Sequence, residues 1–96
     1  MKAVADLPFK TLKQTPEVEI RKFSCNLDEE ELSWHRDKED RLVALVSGTG
    51  WLLQLDEKKP VALMMQESHL IPSGVWHRLI RMQNATDLTI QIFKRV

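Results

Sequence analysis

Short apolar runs, divided by charged or turn-forming residues, make up most of this sequence. Three of these runs are apolar on both faces or nearly so: residues 42–46, 51–55 and 61–65. Such runs are typical of central strands that are covered on two sides. Residues 88–93 alternate instead, with Leu88, Ile90 and Ile92 on one face. The runs recur at roughly the eight-to-twelve-residue spacing of sandwiches and barrels, so the pattern predicts an all-β fold.

A second alternating segment, residues 17–23, predicts a half-buried strand near the N-terminus. Val18 and Ile20 fall on one face of this strand, and Glu19 and Arg21 fall on the other. We expect the apolar face to be the buried one.

Three segments between the apolar runs are interpreted as loops. Residues 56–60 form a charged, proline-ended link of the length that a hairpin uses. Residues 47–50 contain Gly48 and Gly50 and predict a tight turn or a bulged corner. Residues 27–34 lack an apolar stripe long enough for a helix, and we interpret them as an exposed acidic loop.

Composition narrows the function classes. Lys and Arg number 14, and so do Asp and Glu, so no overall charge favours nucleic acid or an acidic membrane surface as a partner. Cys25 stands alone, which excludes an internal disulfide and predicts a buried, unreactive thiol in a reducing compartment. No apolar run reaches the length of a signal peptide or a membrane span, so the expected location is cytoplasmic.

The segment Pro72-Ser73-Gly74-Val75-Trp76-His77 is the most informative part of the chain. Proline fixes φ, and glycine permits values of φ that are closed to other residues, so the pair predicts a fixed turn. The turn aims the first side chains of the next strand inward. His77 is therefore a candidate site residue.

The turn, the glycine corner and the strand spacing together resemble the cupin superfamily of double-stranded β-helix (jelly-roll) barrels. Residues 72–77 match the centre of the second cupin motif, Pro-x-Gly-x-x-His. Counting back from Gly48 places His35, Asp37 and Arg41 at the two histidines and the glutamate of the first motif, where only His35 keeps the residue type. The resemblance is to small bacterial cupins of unassigned function. It implies one cupin domain over residues 1–96, with the motifs in residues 30–93 and residues 17–23 as an added strand of the wall.

Two site chemistries follow from this resemblance. In the preferred one, Arg41, His77 and His35 bind a small, anionic molecule at the end of an apolar pocket. In the alternative, His35, Asp37 and His77 hold iron, manganese or zinc in an enzyme of isomerase or oxygenase type, and Arg41 orients an anionic substrate. Arg41 is the main argument against the metal, because its charge repels a cation and because pairing with Asp37 competes with ligation.

A third interpretation is a dimeric structural or regulatory module that keeps only remnants of a site. The apolar face of Leu42, Ala44 and Val46 needs cover, which predicts a homodimer. His69 is interpreted as a histidine of the barrel wall. The remaining large apolar side chains are interpreted as packing residues of the core or of the dimer: Trp34, Trp51, Trp76, Met64, Met65 and Met82.

Overall fold

The computed structural model describes residues 8–28 and 32–94, and these residues form strands and loops. The eight strands, in chain order, are β1 (Lys10–Gln14), β2 (Val18–Phe23), β3 (Arg41–Ser47), β4 (Trp51–Leu55), β5 (Val61–Ala62), β6 (Ser68–Ile71), β7 (His77–Arg81) and β8 (Leu88–Lys94). The all-β prediction is confirmed. In these two ranges of the chain, no helix has the length and apolar character that crossing a membrane requires.

The strands form two antiparallel sheets. The larger sheet has the order β1-β2-β8-β3-β6, and the smaller has the order β5-β4-β7. The core contains side chains from both sheets: Phe23, Val43, Leu45, Ile71, Leu88, Ile90 and Ile92 from the larger, and Trp51 and Leu53 from the smaller. The two sheets thus form the walls of a barrel, and apolar side chains from both sheets line its interior.

Strand β8 follows its predicted alternation. Leu88, Ile90 and Ile92 are all buried, and β8 lies between β2 and β3 in the middle of the larger sheet. Both of its edges are therefore hydrogen-bonded, and its inner face supplies the centre of the core.

Strand β2 exists where it was predicted, but its predicted orientation was wrong. Glu19 is buried with 3% of its surface exposed, whereas Val18 and Ile20 are only partly buried. Glu19, Arg21 and Phe23 therefore form the inward face. The inversion is possible because the carboxylate of Glu19 contacts two cationic side chains, Arg21 and Lys94, which compensate its burial.

Residues 61–65 were wrongly predicted to be a central strand. Only Val61 and Ala62 pair, as β5, and this short strand is the edge of the smaller sheet. Both residues are exposed, and Met64, Met65 and Met82 are also exposed, so these methionines do not fill the core. Within the run, Leu63 is buried in the core, so the run covers the core through one side chain only. The preceding residues 56–60 form the predicted hairpin link between β4 and β5.

Strand β3 is central in its hydrogen bonding but is covered on one face only. Val43 and Leu45 are buried, whereas Val46 is exposed. On the outer face the pairing register aligns four apolar side chains in one row: Val18, Phe93, Leu42 and Leu70. The homodimer stays a prediction. In such a dimer, the second copy would pack on this row of apolar side chains.

The glycine corner between β3 and β4 is required by close backbone contact. Gly48 has φ of 117°, and a Cβ atom there would lie 2.4 Å from the carbonyl oxygen of Asp87. The β3–β8 register also shifts between Leu45 and Ser47, as expected of a bulged corner. At Gly74 the φ of 77° alone favours glycine, because nothing lies within 4 Å of the position of its Cβ.

The loop before β3 is described only in part. Residues 29–31 of the predicted acidic loop lie outside the described residues, while Leu32 is buried in the core and was therefore wrongly included in an exposed loop. Cys25 is only partly buried, in contrast to its predicted burial.

Candidate metal and ligand site

The predicted turn before β7 is bonded to the loop that precedes β3. The backbone N–H of Gly74 donates to the Asp37 carbonyl at 2.8 Å, and the Ser73 N–H donates to Oδ1 of Asp40 at 2.7 Å. The Ser73 hydroxyl donates to the Lys38 carbonyl at 2.7 Å. These bonds explain how segments far apart in sequence are held together.

His35 and His77 are paired directly through their backbones. The His77 N–H donates to the His35 carbonyl at 2.8 Å, and the His35 N–H donates to the His77 carbonyl at 3.0 Å. The pairing is an isolated β-bridge, so His35 lies in a loop outside the eight strands. The two imidazole rings are nevertheless neighbours, with centroids 4.2 Å apart.

Both imidazoles are oriented by backbone carbonyls. Nδ1 of His77 lies 2.9 Å from the Val75 carbonyl oxygen, and Nδ1 of His35 lies 3.3 Å from the Ser33 carbonyl oxygen. Because a carbonyl oxygen only accepts, Nδ1 of each ring is the nitrogen that donates, and Nε2 is the one left for a metal when the ring is neutral. Burial lowers the pKa of His77, and the hydrogen bond to Val75 offsets this only in part, so its ring is neutral at pH 7.

Asp37 completes a group of three donors. The ligand atoms of His35, Asp37 and His77 all lie within 4.8 Å of one another. Oδ2 of Asp37 lies 3.3 Å from Nε2 of His77, yet this buried oxygen accepts no hydrogen bond from the described residues. The carboxylate oxygen and the imidazole nitrogen are thus in contact without a hydrogen bond between them, an arrangement that a bound cation would relieve.

These three side chains fit a divalent metal. Two donor atoms that each lie about 2.1 Å from one ion are separated by about 3.0 to 3.4 Å in right-angled or tetrahedral geometry, and the Asp37–His77 separation of 3.3 Å matches. Two imidazoles and one carboxylate suit iron, manganese or zinc and leave coordination positions open. Metal-binding histidines usually donate their other ring N–H to an oxygen, as Nδ1 of both His35 and His77 does here.

Arg41 supports this arrangement and does not oppose it. Its Nη1 lies 3.4 Å from Oδ1 of Asp37, and its Nε lies 3.2 Å from Oε2 of Glu39. The guanidinium therefore contacts the carboxylate oxygen that does not face His77. The predicted Asp37–Arg41 ion pair is therefore formed, and it uses the carboxylate oxygen other than the one beside His77.

The site opens into a single cavity of about 360 Å³. His35, Asp37, Arg41 and His77 all line it, so the structure brings together the four residues that the sequence analysis selected. The rest of the wall is mainly apolar and includes Val43, Leu53, Leu79, Ile90 and Ile92. A cavity of this size and character is typical of small-molecule sites.

Sequence reasoning missed a second charged group in the same cavity. Arg21 lines the cavity from β2, and its Nε donates to the buried carboxylate of Glu19. Nζ of Lys94 lies 3.0 Å from the other oxygen of Glu19. One signal was present: Phe23 has the same strand parity as Glu19 and Arg21, and a strand rarely turns an aromatic side chain outward with its charged face.

The other candidate residues lie outside the cavity. His69 is partly buried on the wall strand β6, as predicted. Trp34 and Trp76 are exposed and stack beneath Arg78 and Arg36, while Trp51 alone belongs to the core, as predicted.

Sequence comparison gives no relative for this chain. No protein-family model matches the sequence. No significant match was found among curated proteins either.

Structure comparison is decisive for the fold. A cupin domain from Bordetella pertussis superposes with a TM-score of 0.59 at 20% identity, covering 92% of each chain. An RmlC-like cupin with a double-stranded β-helix fold from Methanocaldococcus jannaschii gives a TM-score of 0.66 at 15% identity, covering 97% of this chain and 85% of the other. This chain has the cupin fold.

Larger proteins contain the same cupin barrel. A chain from the structures of the DMSP lyases RdDddP and RnDddQII gives a TM-score of 0.70 at 19% identity over 82% of this chain. The present chain spans only 37% of that lyase chain. The cupin fold explains why the turn before β7 and the loop before β3 meet at one end of the barrel.

Proposed function

We propose that this cupin barrel binds a divalent metal through His35, Asp37 and His77, and that the metal and the adjoining cavity bind a small, anionic molecule. The contact between Oδ2 of Asp37 and Nε2 of His77, with no hydrogen bond to that buried oxygen from the described residues, is the observation that carries the proposal. A bound cation would relieve this contact. A site built only for hydrogen bonding would have turned one of the two groups toward a donor.

The surrounding residues keep the three ligands ready for the metal. Arg41 holds Asp37 through Oδ1, and the Val75 and Ser33 carbonyls fix the tautomers of the two histidines. The lowered pKa of His77 keeps its ring neutral, as metal binding requires. When bound, the metal supplies a Lewis acid at the end of an apolar cavity.

The proposal is tested by metal titration of chelator-treated protein. Stripped protein should bind one equivalent of Mn²⁺, Zn²⁺ or, under nitrogen, Fe²⁺, and its melting temperature should rise with metal concentration, because the metal binds only the folded chain. Calorimetry and differential scanning fluorimetry give the two readouts. His69→Ala is a suitable control, since it removes an imidazole outside the cavity and should leave the stoichiometry unchanged.

Metal analysis of protein expressed in metal-supplemented medium defines the result that would contradict the proposal. Fewer than one metal per ten chains, together with no thermal shift on titration, would exclude the metal site. The cavity would then be left with the metal-free anion site of Arg41, His77 and His35.

A further inference from the structure

We propose that the ligand of this cavity is a small dicarboxylate, with one carboxylate on the metal and the other on the guanidinium of Arg21. The inference rests on the proposed function and adds the substrate class and a second anchoring residue. Arg21 lies on the added strand β2, outside the two sequence motifs.

Arg21 has the geometry of an anion receptor. Its Nε edge is held by Glu19, and its Cζ lies 4.0 Å from the centre of the Phe9 ring. Contacts at one edge and one face fix the plane of the guanidinium without using its two terminal amino groups. Within residues 8–28 and 32–94 these amino groups donate to no acceptor, although the side chain is only 16% exposed. Two N–H donors in one plane can bind both oxygens of a single carboxylate.

The charges around the cavity favour two negative charges on the ligand. Ion pairs connect three carboxylates, of Asp37, Glu39 and Glu19, with three cations, of Arg41, Lys94 and Arg21. These six charges cancel, so a divalent metal leaves the group with two positive charges. A monoanion would neutralise half of this excess, whereas a dicarboxylate would neutralise all of it.

The cavity wall also favours a ligand whose two charges are separated by a hydrocarbon spacer over a compact dianion. Its wall between the charged groups is apolar, with Val43, Ile90 and Ile92 from the larger sheet. A hydrocarbon spacer can pack against these side chains. Inorganic phosphate has both charges on one group and offers no apolar surface to the wall.

Calorimetric titration of the metal-loaded protein tests the proposal. Succinate and glutarate are compared with their monomethyl esters, with butyrate and with inorganic phosphate. At least one dicarboxylate should bind about 10- to 100-fold more tightly than its monomethyl ester, because the ester loses one charge-assisted bidentate contact.

Two substitutions assign the second carboxylate to Arg21. Arg21→Lys keeps the charge beside Glu19 but removes the planar fork, and Arg21→Gln removes the charge as well. Both should reduce dicarboxylate affinity to the level of the monomethyl ester and leave metal affinity unchanged. Arg36→Gln is the control, because Arg36 stacks on the exposed Trp76 outside the cavity. Circular dichroism and melting curves establish that each variant is folded.

The possible outcomes separate this inference from the proposed function. Normal metal binding with no preference for a dicarboxylate over its ester, or with tighter binding of phosphate, would overturn the dicarboxylate. A preference that survives in Arg21→Lys would overturn the role of Arg21. Failure of the wild-type protein to bind metal would instead contradict the proposed function, and with it the arrangement in which a metal holds the first carboxylate.

Discussion

Asp37→Asn should reduce the metal affinity of this protein by more than about 100-fold. The substitution keeps the size of the side chain but removes the only carboxylate among the three ligands. It also replaces the negative charge that balances the metal beside Arg41, so the guanidinium would then oppose the cation. Competition with a chromogenic chelator for Zn²⁺ or Mn²⁺ measures the change directly.

Asp40→Asn is the matched control. It removes the same charge from the same loop, but Asp40 is exposed, and its carboxylate accepts from the Ser73 N–H in the turn. The asparagine oxygen can still accept that hydrogen bond, so both the turn and the metal affinity should be preserved. Equal losses in the two variants would mean that loop charge, and not ligation by Asp37, governs binding.

Glu19→Gln should destabilise the fold by roughly 3 kcal/mol at neutral pH, because it leaves two cations facing the barrel interior without their shared carboxylate. Glu19 is buried between Arg21 and Lys94, whose side chains are each only 16% exposed. Urea denaturation of metal-free protein measures the loss without a contribution from metal binding. Glu17→Gln, at an exposed position just before the same strand, should change stability little.

The effect of Glu19 should depend on pH. Burial raises the pKa of Glu19, but the hydrogen bonds and charges of Arg21 and Lys94 outweigh burial and hold it below the ordinary value of 4.5. A carboxyl group whose pKa is lower in the folded state stabilises the fold above its unfolded pKa, and this stabilisation disappears as the pH falls through the folded pKa. The difference between wild type and Glu19→Gln should therefore shrink below pH 4.5. A difference that is constant with pH would contradict the ion-pair account.

The turn before β7, the glycine corner and the buried face of β8 were readable from the sequence because short-range rules dominate there. Pro72 and Gly74 fix a turn, Gly48 permits a close contact with Asp87, and the alternation in β8 assigns its buried face. Each signal depends on a few neighbouring residues. The resemblance to the cupins, which these signals carry, implied the fold and the proximity of His35, Asp37 and His77.

The orientation of β2 was not readable in the same way. An alternating strand has two faces, and the usual assignment buries Val18 and Ile20. The real inward face contains Glu19 and Arg21, and it is stabilised by Lys94 at the other end of the chain. A compensating charge 75 positions away leaves no local pattern. The same error concealed the inward position of Arg21, which only the structure shows.

The exposed methionines show a related limit. Residues 61–65 are as apolar as a central strand, yet β5 is a sheet edge and Met64 and Met65 are exposed. Hydrophobicity predicts that a segment favours burial, but it does not identify the element or partner that buries it. Asp37 illustrates the converse case, because its place in the cupin-like first motif predicted its proximity to His35 correctly although the segment is a loop.

X-ray absorption spectroscopy of the Zn²⁺- or Mn²⁺-loaded protein tests the central claim most directly. The account predicts two imidazole ligands, visible as multiple scattering from the rings, together with oxygen ligands at bonding distance. The Asp37→Asn variant, loaded at excess metal, should lose one of these oxygen contacts or the bound metal itself. A spectrum with no imidazole scattering, or one identical in His77→Ala, would contradict the account.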